Sequence, residues 1–322
     1  MGTSEGGLVF AYCLTRPSRD LAWSDLDAAQ VEGPIWLHLE RTAPAVEYWL
    51  REKSGLDPVV VDALLADETR PRSAMFGDGM VIILRGVNLN PGAEPEDMVA
   101  LRVWIDPARL ITVRTRRLVS AQDVRDEIEA GNGPRTPAAT LLGLITRLVA
   151  RIGPVVDRLG DEIDDIETDL AEKPPRELRS RLAALRREAI GFRRYLSPQR
   201  DVLSRLYVEA AELFDERTRL RLRESADAMM RYVEELDAAR ERAAVISEEL
   251  AAAASERMNR TMYVLSLVST VFLPLGFVTG LLGVNIAGIP GTESPFAFEL
   301  LAGGLIVLAL FEVLLFRRWR LL

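Results

Sequence analysis

Two long apolar runs dominate the hydropathy pattern near the carboxyl end of the chain. The first, residues 262–282, contains no charged side chain, and the second covers residues 296–316. At about 1.5 Å of rise per residue, a helix of about 20 residues spans the hydrocarbon core of a bilayer. The pattern therefore predicts a transmembrane hairpin, with a first span at 262–285, a loop at 286–295 and a second span at 296–316.

The charges that flank these runs predict the orientation of the hairpin. Arg257 and Arg260 precede the first run, and three arginines lie in the tail 317–322 after the second. The loop between the runs holds no lysine or arginine. Because cationic flanks stay on the cytoplasmic side of a membrane, we expect both termini in the cytoplasm and the loop outside.

Residues 1–130 show a mixed pattern of strands and helices. Five segments have strand character: LVFAYCLT, IWLHLE, MVIILRGVNL, VALRVWID and RLITVRT. Between them, AVEYWLREK and PVVVDALLAD have helical spacing, and the second opens on Pro58 after Asp57. Turn signals at 77–79, 90–95 and 106–107 fall where sheet connections belong. We therefore predict a cytoplasmic α/β domain.

From about residue 131 the pattern becomes entirely helical. Residues 131–217 are predicted to form a helical hairpin, with one amphipathic segment from Pro137 to Glu172, a break at Pro174-Pro175 and an arginine-rich second arm. Leu141, Leu144, Ile145, Leu148, Ile152 and Val155 form the apolar face of the first arm. That arm ends in acids, so the arms can pair through opposite charges. Alternatively, these acids attract cations near the membrane.

The longest helix is predicted to begin near Thr218. From there no proline precedes Pro274 and no glycine precedes Gly276. Apolar residues recur at steps of three and four: Met229, Tyr232, Val233, Leu236, Ala243, Ile246 and Leu250. A helix of about 65 residues would be roughly 95 Å long. Residues 218–261 would form a stalk that continues directly into the first span and passes conformational change to it.

Composition excludes several functional classes. The chain has 322 residues, a net charge of −8, one Cys and one His. Cys13 and His38 cannot form a tetrahedral zinc site or a disulfide within one chain, and we expect both to pack in strands. The sequence has neither a Walker A loop nor a GxGxxG motif. A soluble enzyme is therefore the least favoured class, and no permanently bound cofactor is expected.

One edge of the first span is built mainly from small and polar residues. Eight positions follow one another at alternating steps of three and four, and we call them the seam: Asn259, Met262, Ser266, Ser269, Leu273, Gly276, Gly280 and Gly283. Most other positions are large and apolar, as a lipid- or helix-facing surface requires. The seam suits either close helix packing or the lining of a pore. A pore requires an oligomer, because one hairpin cannot enclose a channel.

The segment NRTMYVLSLVSTVFLPLGFVTGLLGVN resembles the first transmembrane helix and signature loop of the CorA-type metal-ion transporter superfamily. That superfamily has Gly-Met-Asn at the outer pore entrance, where this chain has Gly283-Val284-Asn285. With valine in place of methionine, followed by IAGIPG, the sequence at this point is similar to that of the ZntB-type zinc transporter branch. The resemblance covers the α/β domain, the hairpin, the stalk, both spans and the basic tail.

The resemblance implies a funnel-shaped homopentamer in the bacterial inner membrane, with the first span of each subunit lining the pore. Its pore positions correspond to Asn259, Met262, Leu265, Leu273, Gly276 and Asn285. It implies Zn²⁺ as the imported ion, with coupling to protons, and no nucleic-acid partner. A ring of asparagine amides can accept a hydrated cation without a fixed charge that would trap it. The alternative is a CorA-like Mg²⁺ (or Co²⁺/Ni²⁺) channel gated by cytoplasmic ions.

Acidic residues supply two further hypotheses. Magnesium-channel relatives bind regulatory ions at positions that correspond to Glu224 and Glu248, with Glu249 adjacent; simple solvation or salt bridging is the alternative. Glu312 lies inside the second apolar run, where an ionised carboxylate is costly. Either it pairs with the arginines that follow this run, or it exchanges protons during transport.

A membrane-anchored sensor is the alternative from another functional class. In that case the cytoplasmic domain would bind a ligand and the hairpin would only tether it. Ion flux that survives Asn285→Ala and Gly283→Ala unchanged would favour this alternative over a pore.

Overall fold

The computed structural model describes residues 5–15, 18–27, 31–67, 69–170, 173–209, 213–284, 291 and 294–318. They belong to two compact units, Met1–Ser247 and Glu248–Leu322. Of the positions singled out above, Glu172, Asn285, most of the loop 286–295 and most of the tail 317–322 lie outside the described residues.

The first unit is organised around a sheet of seven strands. Strands β1–β7 are Leu8–Cys13, Arg19–Asp20, Ile35–Glu40, Arg72–Phe76, Gly79–Gly86, Val99–Ile105 and Arg109–Arg114. Their order is β2-β1-β3-β7-β6-β5-β4; β3 pairs with β7 in parallel, and the other described neighbours are antiparallel. The five predicted strands are confirmed. The short edge strands β2 and β4 were missed because most of their residues are exposed and neither forms an apolar run.

Short helices accompany these strands. A 3₁₀ turn at Glu5–Gly7 precedes β1, and helices α1–α4 are Trp23–Asp27, Pro44–Glu52, Pro58–Leu65 and Val119–Glu129. The two helices predicted in this region, α2 and α3, are confirmed. Asp57 caps α3 by accepting a 2.8 Å hydrogen bond from the Val59 N–H, and Pro58 stands at the first helical position.

The helix predicted from Pro137 to Glu172 is divided in the structure. Helix α5 covers Pro137–Ala150 and α6 covers Gly153–Asp169. The single long helix was a wrong prediction, because Pro154 has no N–H to donate to the carbonyl of Ala150. The apolar face shifts at this break, so Val156 is buried where Val155 was expected.

Helix α7 covers Pro175–Glu209 and continues through Pro198. Charge pairing between the arms is confirmed: Arg181 Nη1 lies 3.3 Å from Asp169 Oδ2, and Arg158 of α6 pairs with Glu188 of α7. Asp169 of the first arm and Glu188 of the second arm therefore both help to hold the arms together.

The sheet lies between two helical layers. Leu37 and Leu39 belong to a buried cluster with residues of α2 and α3, and α5 and α7 contact the strands as well. The approach of α5 is close: a Cβ on Gly86 of β5 would lie 2.5 Å from Leu148 Cδ2. Side chains that alternate along each strand thus fill two layers of core.

Helix α7 is fixed to the sheet by one buried amide. Gln199 is 1% exposed, its Oε1 accepts from the Arg85 N–H at 2.6 Å, and its Nε2 donates to the Arg85 carbonyl at 3.1 Å. The Gln199 amide thus makes the two backbone hydrogen bonds to Arg85 that a neighbouring strand would otherwise make.

The lone Cys and His pack in strands, as predicted. Cys13 is buried in β1, and His38 is fully buried in β3. Thr112 Oγ1 donates to the carbonyl of Leu37 (2.9 Å), so it accepts the proton on His38 Nδ1 (2.8 Å). Burial, reinforced by the charge of Arg114, lowers the pKa of His38 to about 3. The imidazole is therefore neutral.

Helix α8, Glu216–Leu282, begins in the first unit and ends in the second, and α9 covers Ala297–Arg318. The prediction of one uninterrupted helix to residue 282 is confirmed, with Asp215 Oδ1 accepting from the Thr218 N–H at 2.7 Å near its start. The predicted apolar face of the stalk is buried, with Tyr232 half-buried.

Candidate functional site

All eight seam residues are exposed in the structure. The larger ones reach high values, 59% for Met262 and 71% for Leu273. A Cβ added to Gly276 or Gly280 would meet no atom within 4 Å, and one on Gly283 would meet only backbone oxygens of the preceding turn, including the Thr279 carbonyl at 2.9 Å. These glycines are therefore not needed for a close contact within the chain.

A different face of α8 is the less exposed one. In the membrane-span region its partly covered positions are Leu267, Val271, Pro274, Leu275 and Val278. At about 100° per residue, this face points about 180° away from the seam. Close packing against a helix of the same chain would have covered the small residues. The structure instead covers large apolar residues and leaves the seam open.

Sequence reasoning did not separate this covered face from the other apolar residues off the seam. Apart from three threonines, the side chains on both surfaces are large or apolar, so hydropathy gives no signal that distinguishes the two surfaces. The angular position of the covered residues relative to the seam could be calculated from the sequence. If the seam is open, the opposite surface is the one left for contact within the chain.

Hydroxyl groups on α8 divide into two kinds. Off the seam, the hydroxyls of Thr261, Thr270 and Thr279 donate to backbone carbonyls one turn back, at 3.0, 2.8 and 2.9 Å. These three hydroxyl groups are therefore satisfied by the backbone of their own helix. On the seam, the side chains of Ser266 and Ser269 have no hydrogen-bond partner among the described residues. Their hydroxyls, like the Asn259 amide, are free to meet water or an ion.

The two ends of the seam differ in chemistry. At the amino-terminal end, Met262 and Leu265 expose 59% and 66% of their surface, so two apolar side chains stand next to the Asn259 amide. At the other end α8 stops at Leu282, and Gly283 and Val284 follow it, both exposed. Asn285, the last residue of the tripeptide, lies outside the described residues.

The acids predicted as regulatory sites are not brought together. Glu224, Glu248 and Glu249 are exposed, and none forms an ion pair with another described residue. Across the described part of the chain, no group of three or more His, Cys, Asp or Glu side chains is placed to hold a metal ion. A regulatory ion at these acids would need ligands from another subunit.

Glu312 is the one predicted site residue on α9. It is half-buried, and its Oε2 atom is buried without a hydrogen-bond partner in the described structure. Pairing with Arg317 or Arg318 is not observed among these residues, and the spacing explains why. Side chains five and six positions apart lie on different sides of a helix, whereas neighbours are three or four apart.

The whole-chain comparisons decide the family. A family model described as CorA-like Mg²⁺ transporter protein matches residues 31–318. The chain belongs to the CorA-like transporter family. This CorA-like protein is 40% identical over 329 residues to the divalent cation transporter CmaX of Pseudomonas aeruginosa, covering 98% of the chain and 97% of CmaX.

Other relatives of this CorA-like transporter agree with that assignment. Zinc transport protein ZntB of Pectobacterium carotovorum is 39% identical over 294 residues, or 91% of this chain and 89% of ZntB. The solved structure of full-length CmaX matches with a TM-score of 0.85 at 38% identity, covering 99% of this chain and 100% of that one. The predicted fold is confirmed. At the level of the family the activity is divalent cation transport, and the protein is not an enzyme.

Proposed function

We propose that this chain assembles as a homopentamer in the bacterial inner membrane and carries Zn²⁺ into the cytoplasm through a central pore lined by α8. The observation that carries the proposal is the open seam. Its small and polar residues are exposed, while the opposite face of the same helix is the covered one. Several copies arranged with their seams inward would enclose a path lined by hydroxyl, amide and backbone groups.

The pore would have three zones. Gly283, Val284 and Asn285 form the outer entrance, where the Asn285 amide and nearby carbonyls contact the hydration shell of the ion. Ser266, Ser269, Leu273, Gly276 and Gly280 line the middle, where small side chains leave room for bound water. Met262 and Leu265 form an apolar constriction above Asn259, and such a constriction gates by excluding water.

The choice of zinc is supported by the ZntB relatives, whose name states zinc transport, whereas CmaX is named for divalent cations generally. With one Cys and one His in the sequence, no soft-ligand site can select zinc within the pore. We therefore propose that the ion passes hydrated, and that the proton gradient contributes to its import.

The remaining organisation is part of the proposal. The domain limits stay those predicted: 1–130, 131–217, 218–261, 262–285, 286–295, 296–316 and 317–322. Both termini lie in the cytoplasm, because arginines flank both spans on that side. Regulatory ions at Glu224, Glu248 and Glu249 would bind between subunits.

A magnesium channel is the second candidate, because the matching family model is described as a Mg²⁺ transporter. Flux of Zn²⁺ and Mg²⁺ into liposomes, each with and without a pH gradient, separates the two. Zn²⁺ flux that exceeds Mg²⁺ flux and rises with an inward proton gradient supports the first proposal. Mg²⁺ flux without response to the gradient supports the second, and absence of either flux favours a membrane-anchored sensor.

The subunit number needs a separate measurement. Native mass spectrometry of the full chain in detergent and in nanodiscs is expected to show five copies. A monomer in both environments would overturn the pore, since one seam cannot surround water.

A further inference from the structure

Glu312 is a half-buried ionisable group that the proposed pore does not use. Its Oε2 atom is buried and has no hydrogen-bond partner in the described structure. It lies on the less exposed face of α9, which consists of Leu301, Ala302, Leu305, Leu308, Ala309, Glu312, Leu315 and Phe316. The lipid-facing residues are others, such as Phe311 and Leu314, which are 60% and 65% exposed. One oxygen of the carboxyl is thus enclosed by protein, on the less exposed face of α9.

The spans offer this carboxyl no cation. Residues 261–282 of α8 contain no charged side chain, and their one titratable group is Tyr263, which is 43% exposed. On α9, Glu312 is the only ionisable residue from 300 to 316. The nearest arginines along the chain, Arg257 and Arg260 in α8 just before its apolar run and those that end α9, form no ion pair with it among the described residues. In a homo-oligomer each further copy brings the same set of groups.

We propose that Glu312 is a proton-binding site: a proton, not an arginine, neutralises its carboxylate inside the bilayer. Binding adds a proton to one carboxylate oxygen and leaves a neutral acid; release returns the proton to water and leaves an anion. A carboxylate without a partner is strongly disfavoured at a buried position in a membrane, whereas the neutral acid is tolerated. The covered face of α9 is therefore expected to pack differently in the two protonation states.

The effect of Glu312 on transport rests on the proposed function, because a change in the packing of α9 can alter ion flux only if the spans surround an ion pore. If the inference is right, Glu312 alone makes ion transport sensitive to pH. Glu312→Gln keeps the size and the hydrogen-bonding capacity of the neutral acid and cannot ionise. It should behave as the protonated protein at every pH.

The first test does not depend on transport. Dicyclohexylcarbodiimide is membrane-soluble and modifies carboxyl groups that carry a proton. Full-length protein in liposomes is treated at a series of pH values from acidic to alkaline, and the peptides are analysed by mass spectrometry. Modification of Glu312 that declines as the pH rises supports the proposal. No modification at any pH overturns it, and modification that appears only in Arg317→Ala/Arg318→Ala identifies an ion pair instead.

The second test follows ion flux over the same pH range. Glu312→Gln should match the wild type at the acidic end and lose the dependence on pH. Glu299→Gln is the matched control, because Glu299 is an exposed acid in the first turn of the same helix. An unchanged pH profile in Glu312→Gln overturns the proposal. Wild-type protein without flux would instead overturn the proposed function, and the modification experiment would still decide on Glu312.

Discussion

Two helical segments of this chain are long and apolar enough to cross a membrane, but they differ in how far the structure buries them. Residues Pro137–Asp169 and the end of α8 both contain a long apolar window, with mean hydropathies of 1.5 and 2.0. In the first, 56% of that window is buried inside the protein; in the second, none is. Apolar length alone therefore does not identify a span. What distinguishes the two is whether the rest of the chain supplies a surface to cover them.

The surface that covers α5 is the sheet. Leu144 and Leu148 are 0% and 1% exposed, and Leu148 lies directly over Gly86 of β5. The end of α8 has only one partly covered face, and the described residues leave the rest of its apolar surface without cover. The same apolar residue types thus stabilise the protein core in one region and, in the other, form an exposed surface suited to an apolar surrounding such as a bilayer.

The largest expected effect comes from placing a charge in the covered helix. Leu144→Asp puts an unpaired carboxylate in the core, and we expect it to destabilise the first unit by more than about 4 kcal/mol. Thermal unfolding of the full-length protein in detergent measures this. Thr146→Asp, an exposed position on the same helix, is the control, with a change within about 0.5 kcal/mol. Equal stability of the two variants would mean that α5 is not a core helix.

The pH dependence of stability is the next largest effect. His38 has an ordinary pKa of 6.5, which burial lowers to about 3 in the fold. Below pH 6.5 the imidazole of His38 binds a proton in the unfolded chain but not in the folded chain. The contribution of His38 to the free energy of unfolding is therefore fully present above this pH and is lost as the pH falls. Between about pH 6.5 and about pH 5 the loss should be about 2 kcal/mol.

His38→Phe is the variant that isolates this titration. It keeps an aromatic ring next to Phe10, whose ring stacks on His38 at 4.8 Å between centroids. We expect a lower overall stability, because the hydrogen bond to Thr112 is lost, and a flat profile in that pH window. Urea unfolding at a series of pH values gives both quantities. An unchanged slope in the variant would assign the acid sensitivity to other groups.

Most of the fold could be read from the sequence because its signals are local. Five strands and the helices α2 and α3 follow from apolar runs, and Asp57-Pro58 marks the start of α3 as the structure has it. The break at Pro154 was visible as well, since a proline removes one hydrogen bond wherever it stands in a helix interior. The edge strand β4 was not readable, because its exposed residues carry no periodic apolar pattern.

The candidate site was readable only in part. The seam is a one-dimensional pattern, and its step of three and four residues could be counted directly. Whether it faced a neighbour or open space depends on tertiary packing, which no local signal contains. The same limit applies to Glu312: its distance from Arg317 was visible in the sequence, but burial of its Oε2 atom is a tertiary property.

The open seam and its neighbouring surface can be compared by substitution. Ser269→Leu adds bulk on the seam, where we expect it to narrow the path and reduce ion flux by at least about tenfold, equivalent to about 1.4 kcal/mol in the barrier. Val268→Leu adds bulk at the adjacent position, which is 46% exposed and off the seam, and should leave flux unchanged. Liposome flux at equal protein density measures both. Equal effects of the two variants would remove the distinction between pore and lipid surfaces.

The smallest expected effect concerns the contact of α7 with the stalk part of α8. Arg193 Nε lies 2.5 Å from Asp237 Oδ1, but the side chains are 42% and 36% exposed, so water screens the pair. We expect a coupling free energy of at most about 1 kcal/mol. A double-mutant cycle with Arg193→Met and Asp237→Asn, followed by thermal unfolding, measures it. A coupling several times larger would mean that ion pairs, and not the buried face with Val233 and Leu236, hold the stalk helix against the rest of the first unit.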